Sequence, residues 1–226
     1  MLSEADRYKK LAGERAADFI EDGMTIGLGS GSTVYWMMKQ VGLLIEKGRQ
    51  VKGIPTSTRT EGWAKEFGIP LTDFASVQSI DLAIDGADEI DSQLNLVKGG
   101  GGSLVREKIV DALADKLIII ADESKMVTKL GEFPLPVEVV PFGYEATARN
   151  IVQLGCSTSL RKKNDEIFIS DNGNYILDCE FNGISDPKRL HSRIKSMVGV
   201  VETGLFTDMT DLAIVGKSEG VTLVNK

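Results

Sequence analysis

Met24-Thr25-Ile26-Gly27-Leu28-Gly29-Ser30-Gly31-Ser32-Thr33 decides the fold. An apolar strand, Met24 to Leu28, breaks at a glycine–serine turn, and a helical pattern takes over at once. Val34, Met37, Met38, Val41 and Leu44 or Ile45 fall on one face of Thr33 to Ile45. A second strand, Val51 to Ile54, follows and is closed by Pro55. The spacing predicts a βαβ unit with parallel strands. Outward from this stretch the alternation continues. A helix, Glu4 to Glu21, precedes it. After it come a helix, Thr60 to Phe67, with Gly68 as its stop, a strand Asp81 to Ile84, a helix Leu104 to Leu113 and a β-branched strand Leu117 to Ala121.

The expected class is therefore α/β: a Rossmann-like, mainly parallel sheet with helices on both faces. The pattern changes after Gly131. Phe133-Pro134-Leu135-Pro136 cannot be regular helix, and a strand (Val137 to Val140), a helix (Tyr144 to Leu154) and three short strands follow. Those strands, Ser157 to Arg161, Ile167 to Ser170 and Tyr175 to Glu180, are separated by turn signals at Lys163-Asn164-Asp165 and Asp171-Asn172-Gly173-Asn174. A helix, Lys188 to Met197, comes next. The expectation is a smaller α+β (ferredoxin-like) domain, 132–204, inserted into a catalytic α/β domain of 1–131 plus 205–226. Asp211 to Val215 and Val221 to Val224 would return to the main sheet.

Composition narrows the function. The 226 residues carry 26 Lys+Arg against 33 Asp+Glu, a net charge of −7, with no offsetting basic run. Nucleic-acid or anionic-membrane binding is disfavoured. No apolar run reaches the ~18 residues of a membrane span. Two cysteines, Cys156 and Cys179, make no disulfide framework and suit a reducing compartment. The N-terminus lacks the apolar core of a signal peptide. The expectation is a soluble cytoplasmic protein.

In open parallel sheets ligands bind beyond the carboxyl ends of the strands, and four polar clusters stand at such ends. In the first, Gly27 to Thr33, glycines let backbone approach an anion, and the N–H groups at a helix start, with the Ser30, Ser32 and Thr33 hydroxyls, can cradle a phosphate. Ser32 stands where GxGxxG needs its third glycine, and no Lys-Ser or Lys-Thr follows, so NAD and ATP are disfavoured. A tight turn with a serine N-cap is the bland alternative. Thr56-Ser57-Thr58-Arg59-Thr60 could face the same site or merely cap a helix.

The second cluster, Asp85-Gly86-Ala87-Asp88-Glu89-Ile90-Asp91, pairs two carboxylates that can share proton work. A divalent-metal site using Asp91, or a solvated acidic turn, are its alternatives. The third, Lys98-Gly99-Gly100-Gly101-Gly102-Ser103, is costly to order and implies backbone lying against something. It leads into a helix whose expected apolar stripe is Val105, Ile109, Ala112 and Leu113. Glu107, roughly 200° from Val105, is then either a solvated glutamate or a proton-transfer base. Lys125, in Ala121-Asp122-Glu123-Ser124-Lys125, is a phosphate partner or a surface lysine. His191, the only histidine, is expected at the surface, and Trp36 and Trp63 in packing roles.

Gly-Ser-Gly-Ser-Thr (29–33), Asp-Gly-Ala-Asp-Glu-Ile-Asp (85–91), Lys-Gly-Gly-Gly (98–101), Arg-Glu-Lys (106–108) and Ala-Asp-Glu-Ser-Lys (121–125) resemble the type A ribose-5-phosphate isomerases. So do Phe-Pro-Leu-Pro-Val-Glu-Val (133–139), Asp-Asn-Gly-Asn (171–174) and Val-Glu-Thr-Gly-Leu-Phe (201–206). The resemblance implies a two-domain homodimer or homotetramer that needs no metal or organic cofactor. Its substrate would be a sugar phosphate, in the non-oxidative pentose phosphate pathway. By motif, Glu107 corresponds to the family's catalytic base, and Asp85, Asp88 and Lys98 to its active-site charges. Ser30, Gly31, Ser32, Thr33, Gly86, Ala87, Gly99, Gly100, Gly101 and Lys125 correspond to substrate-binding positions. An amino-sugar-phosphate deaminase, a coenzyme A transferase and a non-catalytic sugar-phosphate sensor are the competing functions; the Asp-Gly-Ala-Asp and Lys-Gly-Gly-Gly motifs argue against the transferase.

Overall fold

Every residue of the strand Leu117–Asp122, apolar up to its last position, is buried, as a central strand covered on both faces requires. The computed structural model describes residues 2–226. In chain order its elements are α1 (Glu4–Ala17), β1 (Thr25–Leu28), α2 (Ser32–Glu46), β2 (Lys52–Pro55), α3 (Thr58–Glu66), β3 (Leu82–Gly86), β4 (Glu89–Ile90), β5 (Leu96–Val97), α4 (Leu104–Leu113), β6 (Leu117–Asp122) and a 3-10 turn (Glu123–Lys125). There follow β7 (Leu135–Val139), α5 (Tyr144–Val152), β8 (Ser157–Leu160), β9 (Lys162–Lys163), β10 (Glu166–Ile167), β11 (Tyr175–Glu180), α6 (Pro187–Lys195), β12 (Val200–Thr203), β13 (Leu205–Phe206), β14 (Leu212–Lys217) and β15 (Gly220–Asn225).

The chain divides into two compact units, one of residues up to Ala87, Arg106–Met126 and Met209–Lys226, the other of Asp88–Val105 and Val127–Asp208. In the first, six strands are ordered β15-β14-β6-β3-β1-β2. All neighbours pair in parallel except β15, which closes one edge antiparallel to β14. Ile26, Leu28, Leu82, Ile84, Ile118, Ile120 and Ile214 pack on Ala12 and Ala16 of α1 and Val34, Met37, Met38 and Val41 of α2. Each such aliphatic side chain contributes about 1.5–3 kcal/mol by leaving water. On the opposite face Val110 of α4 lies over Gly27. Helices thus cover both faces, as the alternation of elements implies. The strand order reverses direction about β1: β2 lies on one side of it and β3 on the other. That makes the carboxyl ends of β1 and β3 a topological switch point, where doubly wound sheets hold their ligands.

In the second unit β12-β7-β11-β8 form an antiparallel sheet. With α5 after β7 and α6 after β11 this is a β-α-β-β-α-β order, the ferredoxin-like arrangement. Its core holds Leu135, Val137, Val139, Ile151, Leu177, Cys179 and Ile194. Asn164 and Asp165, with φ of 52° and 66°, make the tight turn between β9 and β10. The expected strand Ile167 to Ser170 shrinks to this short hairpin.

The unit also takes in more chain than 132–204. β4 and β5 pair with each other, and β5 pairs with β13. The Glu89 carboxylate, 3% exposed, accepts the Gly131 and Phe133 N–H groups, each at 2.6 Å. These bonds gather 88–105, 127–133 and β13 around a separate three-stranded sheet, β13-β5-β4, within the second unit. The helix Glu4 to Glu21 ends early, at Ala17, where the N–H groups of Asp18, Phe19 and Ile20 tighten to i→i−3 bonds.

Candidate active site

The switch point in the first unit is built by one buried carboxylate. Asp85, at the end of β3, is fully buried, and its Oδ1 accepts the Ser30 N–H at 2.8 Å and the Gly86 N–H at 2.6 Å. The turn after β1 is therefore moulded onto the end of β3. Gly29 makes this approach feasible: a Cβ there would stand 2.2 Å from Asp85 Oδ1 and 2.5 Å from its Cα. Gly29→Ala must push two sheet neighbours apart. It is expected to cost roughly 1–3 kcal/mol, the usual scale for overpacking, and to lower activity as well. Urea unfolding of the variant at the parental midpoint would contradict this picture.

Ser30 carries the second feature. Its Oγ lies 2.9 Å from Thr56 Oγ1, 2.9 Å from Ser57 Oγ and 3.2 Å from Thr60 Oγ1, and Thr60 Oγ1 donates to the Gly29 carbonyl at 2.8 Å. Four hydroxyls from two strand ends thus brace the turn. The capping reading of Thr56 to Thr60 holds, since Ser57 caps α3 by accepting the Thr60 N–H, and the same segment also packs its hydroxyls against Ser30. The serine N-cap expected as an alternative for the first cluster is not there. Gly31 is the N-cap of α2, at φ 106°, and no side chain caps the helix. The Ser30 hydroxyl is spent on the cluster instead, and the first N–H groups of α2, at Ser32 and Thr33, start beside the switch point without a capping side chain. Lys125, half-buried, lies in the 3-10 turn just past the end of β6, next to β3 in the sheet.

Glu107 overturns an expectation about α4. The buried positions of this helix are Leu104, Glu107, Val110 and Asp111, with Glu107 only 5% exposed, whereas Ile109 and Leu113 are 46% and 48% exposed. The apolar stripe Val105, Ile109, Ala112 and Leu113 is the outer face. Two carboxylates take inward positions that packing alone would give to apolar residues, so Glu107 is no solvated glutamate.

The second unit carries Asp88, Lys98 and the glycine run. Lys98, at 2% exposure, is buried; its N–H donates to the Gly204 carbonyl at 2.8 Å, and its Nζ sits 5.2 Å from the Phe206 ring centroid. Asp88 donates its N–H to Val97, and its Oδ2 accepts the Gly100 N–H at 2.7 Å. The loop backbone indeed lies against neighbours. A Cβ on Gly100 would meet the Asp88 carboxylate at 2.7 Å, and one on Gly102 would meet the Phe168 ring at 2.4 Å. Asp91 is occupied in closing its own turn, accepting from the N–H groups of Gln93 and Asn95 and from Asn95 Nδ2. Among the described residues no group of three or more His, Cys, Asp and Glu is placed to hold a metal ion, and no helix is long and apolar enough to cross a membrane.

The sequence reading did not single out Arg161, whose guanidinium reaches the Gly99 and Gly100 carbonyls at 2.7 and 3.2 Å, nor Phe168. A lone arginine after a short strand carries no local signal for a partner some sixty residues away. His191 is partly buried rather than fully at the surface, with Nδ1 2.8 Å from Thr203 Oγ1. Trp63 packs against the first unit's core, and Tyr35 stands edge-on to Trp36 and Trp63. Cys156 and Cys179 are buried and unbridged; contact with Cys156, together with burial, pushes the Cys179 thiol far up.

Residues 52–220 match the family of ribose 5-phosphate isomerase A (phosphoriboisomerase A). Ribose-5-phosphate isomerase A 1 of Oceanobacillus iheyensis is 52% identical over 221 residues, covering 97% of this chain and 99% of that protein. A ribose-5-phosphate isomerase A of Bacillus cereus is 56% identical over 214 residues, covering 94% and 97%. Ribose 5-phosphate isomerase from Plasmodium falciparum superposes with a TM-score of 0.95 at 45% identity, over 98% of this chain and 99% of that one. A D-ribose-5-phosphate isomerase solved in complex with phospho-erythronic acid gives a TM-score of 0.96 at 38% identity, over 99% and 100%. With the motif residues standing at strand ends as described, these matches lead to one conclusion: the chain belongs to the ribose 5-phosphate isomerase A family, isomerases that interconvert D-ribose 5-phosphate and D-ribulose 5-phosphate.

Proposed function

We propose that the chain interconverts these two sugar phosphates through a cis-enediolate, with Glu107 carrying the proton between C2 and C1. The observation that carries this reading is the inward face of α4, where Glu107 is buried while Ile109 and Leu113 are left in water. A helix gives up apolar burial in this way where a charge has work to do. Asp85, its carboxylate oriented by two backbone N–H groups, assists ring opening together with Asp88. Lys98 and the amides of Gly99, Gly100 and Gly101 stabilise the oxyanion that develops as the proton leaves. Preorganised donors in a buried setting are the large electrostatic contribution to such a step.

The phosphate is held by the uncapped start of α2, with Ser30, Gly31, Ser32 and Thr33, and by Lys125; Gly86 and Ala87 line the sugar. Remote binding of this kind fixes C2 for reaction. Ser32→Ala and Lys125→Ala are accordingly expected to raise KM for ribose 5-phosphate more than they lower kcat. A pure kcat loss would move the phosphate elsewhere. Phospho-erythronic acid, bound by a structural relative, combines a phosphate with a carboxylate that carries charge on two oxygens, as an enediolate does.

The same reading makes the working form a cytoplasmic homodimer or homotetramer with no metal or organic cofactor. Phe142 and Val198, 94% and 93% exposed, are apolar side chains that a subunit contact would cover. The direct test of the function is formation of ribulose 5-phosphate from ribose 5-phosphate by the purified chain. Absence of turnover in folded protein would overturn it.

A further inference from the structure

Four consecutive glycines give the loop after Lys98 no side chain with which to brace itself, so any rigidity must come from outside it. The brace is Arg161. Directly after β8, its backbone is fixed on both sides: its N–H donates to Ile176 and its carbonyl accepts from Phe168, each at 2.9 Å. Its guanidinium forks onto Asp178, with Nε 2.9 Å from Oδ2 and Nη2 bonded to Oδ1. The remaining nitrogen, Nη1, donates to the carbonyls of Gly99 and Gly100. The Arg161 side chain is only 12% exposed. A planar fork that meets a carboxylate and two carbonyls at once is a geometry lysine cannot reproduce.

The peptide group between Gly99 and Gly100 is the element that matters. Its C=O accepts from Arg161, and its N–H donates to Asp88 Oδ2. In a trans peptide these two groups point in opposite directions. The peptide therefore stands between a guanidinium and a carboxylate, and each bond polarises it in favour of the other. The Gly100 carbonyl also accepts from Arg161, at 3.2 Å, so the N–H of the next peptide, on Gly101, points away from the guanidinium. The Phe168 ring fills the space beside Gly102 and limits movement of the loop's far end.

We propose that Arg161 is a positioning residue for the isomerisation: through the Gly99–Gly100 peptide it fixes the Asp88 carboxylate, and through the Gly100 carbonyl it aims the Gly101 N–H at a substrate oxygen. This rests on the assignment of Asp88 and the glycine loop to the site. A purely structural ion pair between β8 and β11 would need only Asp178. Arg161 instead commits its last donor to the loop.

The test separates catalysis from stability. In the double variant Arg161→Met/Asp178→Leu the buried pair is replaced by apolar side chains, which leaves no orphaned charge and commonly preserves folding. With a native circular dichroism spectrum, this variant is expected to lose on the order of 10- to 100-fold in kcat, the scale of a slightly misplaced group. KM for ribose 5-phosphate is expected to stay within about threefold, because the phosphate is gripped elsewhere. A folded double variant whose kcat lies within about twofold of the parent overturns the proposal. Should the double variant fail to fold, Arg161→Lys keeps the cation beside Asp178 and lacks the fork; parental kcat in that protein overturns the proposal equally. Asp88→Asn is run in parallel. Full turnover in Asp88→Asn would strike down the reading of the site itself, whereas an inactive Asp88→Asn beside a fully active double variant strikes down the role of Arg161 alone.

Discussion

Glu107→Gln is expected to lower kcat by on the order of 10²–10⁴-fold with only a modest change in KM, the scale of a lost general base. Glutamine keeps the volume and a hydrogen-bonding carbonyl, so the inward face of α4 stays filled and the fold is retained. What disappears is a group able to take a proton from carbon and hand it back one carbon away. The position is informative because it sits against the ordinary logic of helix burial. Leu104 and Val110 line the inward face with Glu107 and Asp111, while Ile109 and Leu113 are half in water. Near-parental turnover in a folded Glu107→Gln protein, measured by ribulose 5-phosphate formation, would remove Glu107 from the mechanism.

Lys98→Met is expected to cost about 10²–10³-fold in kcat, the usual scale for deleting one preorganised donor to an oxyanion. Methionine matches the length of the lysine stem and packs readily against an aromatic ring, so the contact with Phe206 is kept and only the charge is lost. The backbone anchor of residue 98, its N–H on the Gly204 carbonyl, is also untouched. Burying an ammonium is unfavourable, and a chain that keeps one at 2% exposure needs its charge for something other than packing. Steady-state rates with a circular dichroism check decide it. A loss of less than about tenfold would assign the oxyanion to the loop amides alone.

Much of the large sheet was legible because its signals are local. The strand before Gly29, the helix after Gly31 and the β-branched run at Leu117 each announce themselves within a few residues, and Gly68 does stop α3, at φ 67°. The returning strands near Asp211 and Val221 are likewise readable from composition, and they do join the main sheet. The two-residue strands at Glu89–Ile90 and Leu96–Val97 were not, since so short a segment shows no periodicity. Missing them is why the second unit seemed to begin near residue 132 rather than at Asp88.

The charged site residues could be singled out, but not their orientations. The period-3.6 pattern of α4 favoured Val105, Ile109, Ala112 and Leu113 as the inner stripe, and a hydrophobicity rule has no way to represent a carboxylate that faces inward. The supports were less visible still. Thr56, Ser57 and Thr60 looked like ordinary capping residues, and their contact with Ser30 exists only because β1 and β2 are neighbours in the sheet. Arg161 reaches the glycine loop only through the fold of the smaller unit.

The claim at the centre is that a proton, held for a moment by a protein carboxylate, moves between C2 and C1. Its most direct test follows the label of [2-²H]ribose 5-phosphate in ordinary water, reading C1 of the ribulose 5-phosphate by NMR. Transfer through Glu107 and an enediolate predicts that a measurable share of the deuterium is lost to solvent, because the carboxyl deuteron can exchange before it is returned to carbon. Complete delivery of deuterium from C2 to C1, with no exchange even after many turnovers, is the pattern of a direct hydride shift and would contradict the mechanism.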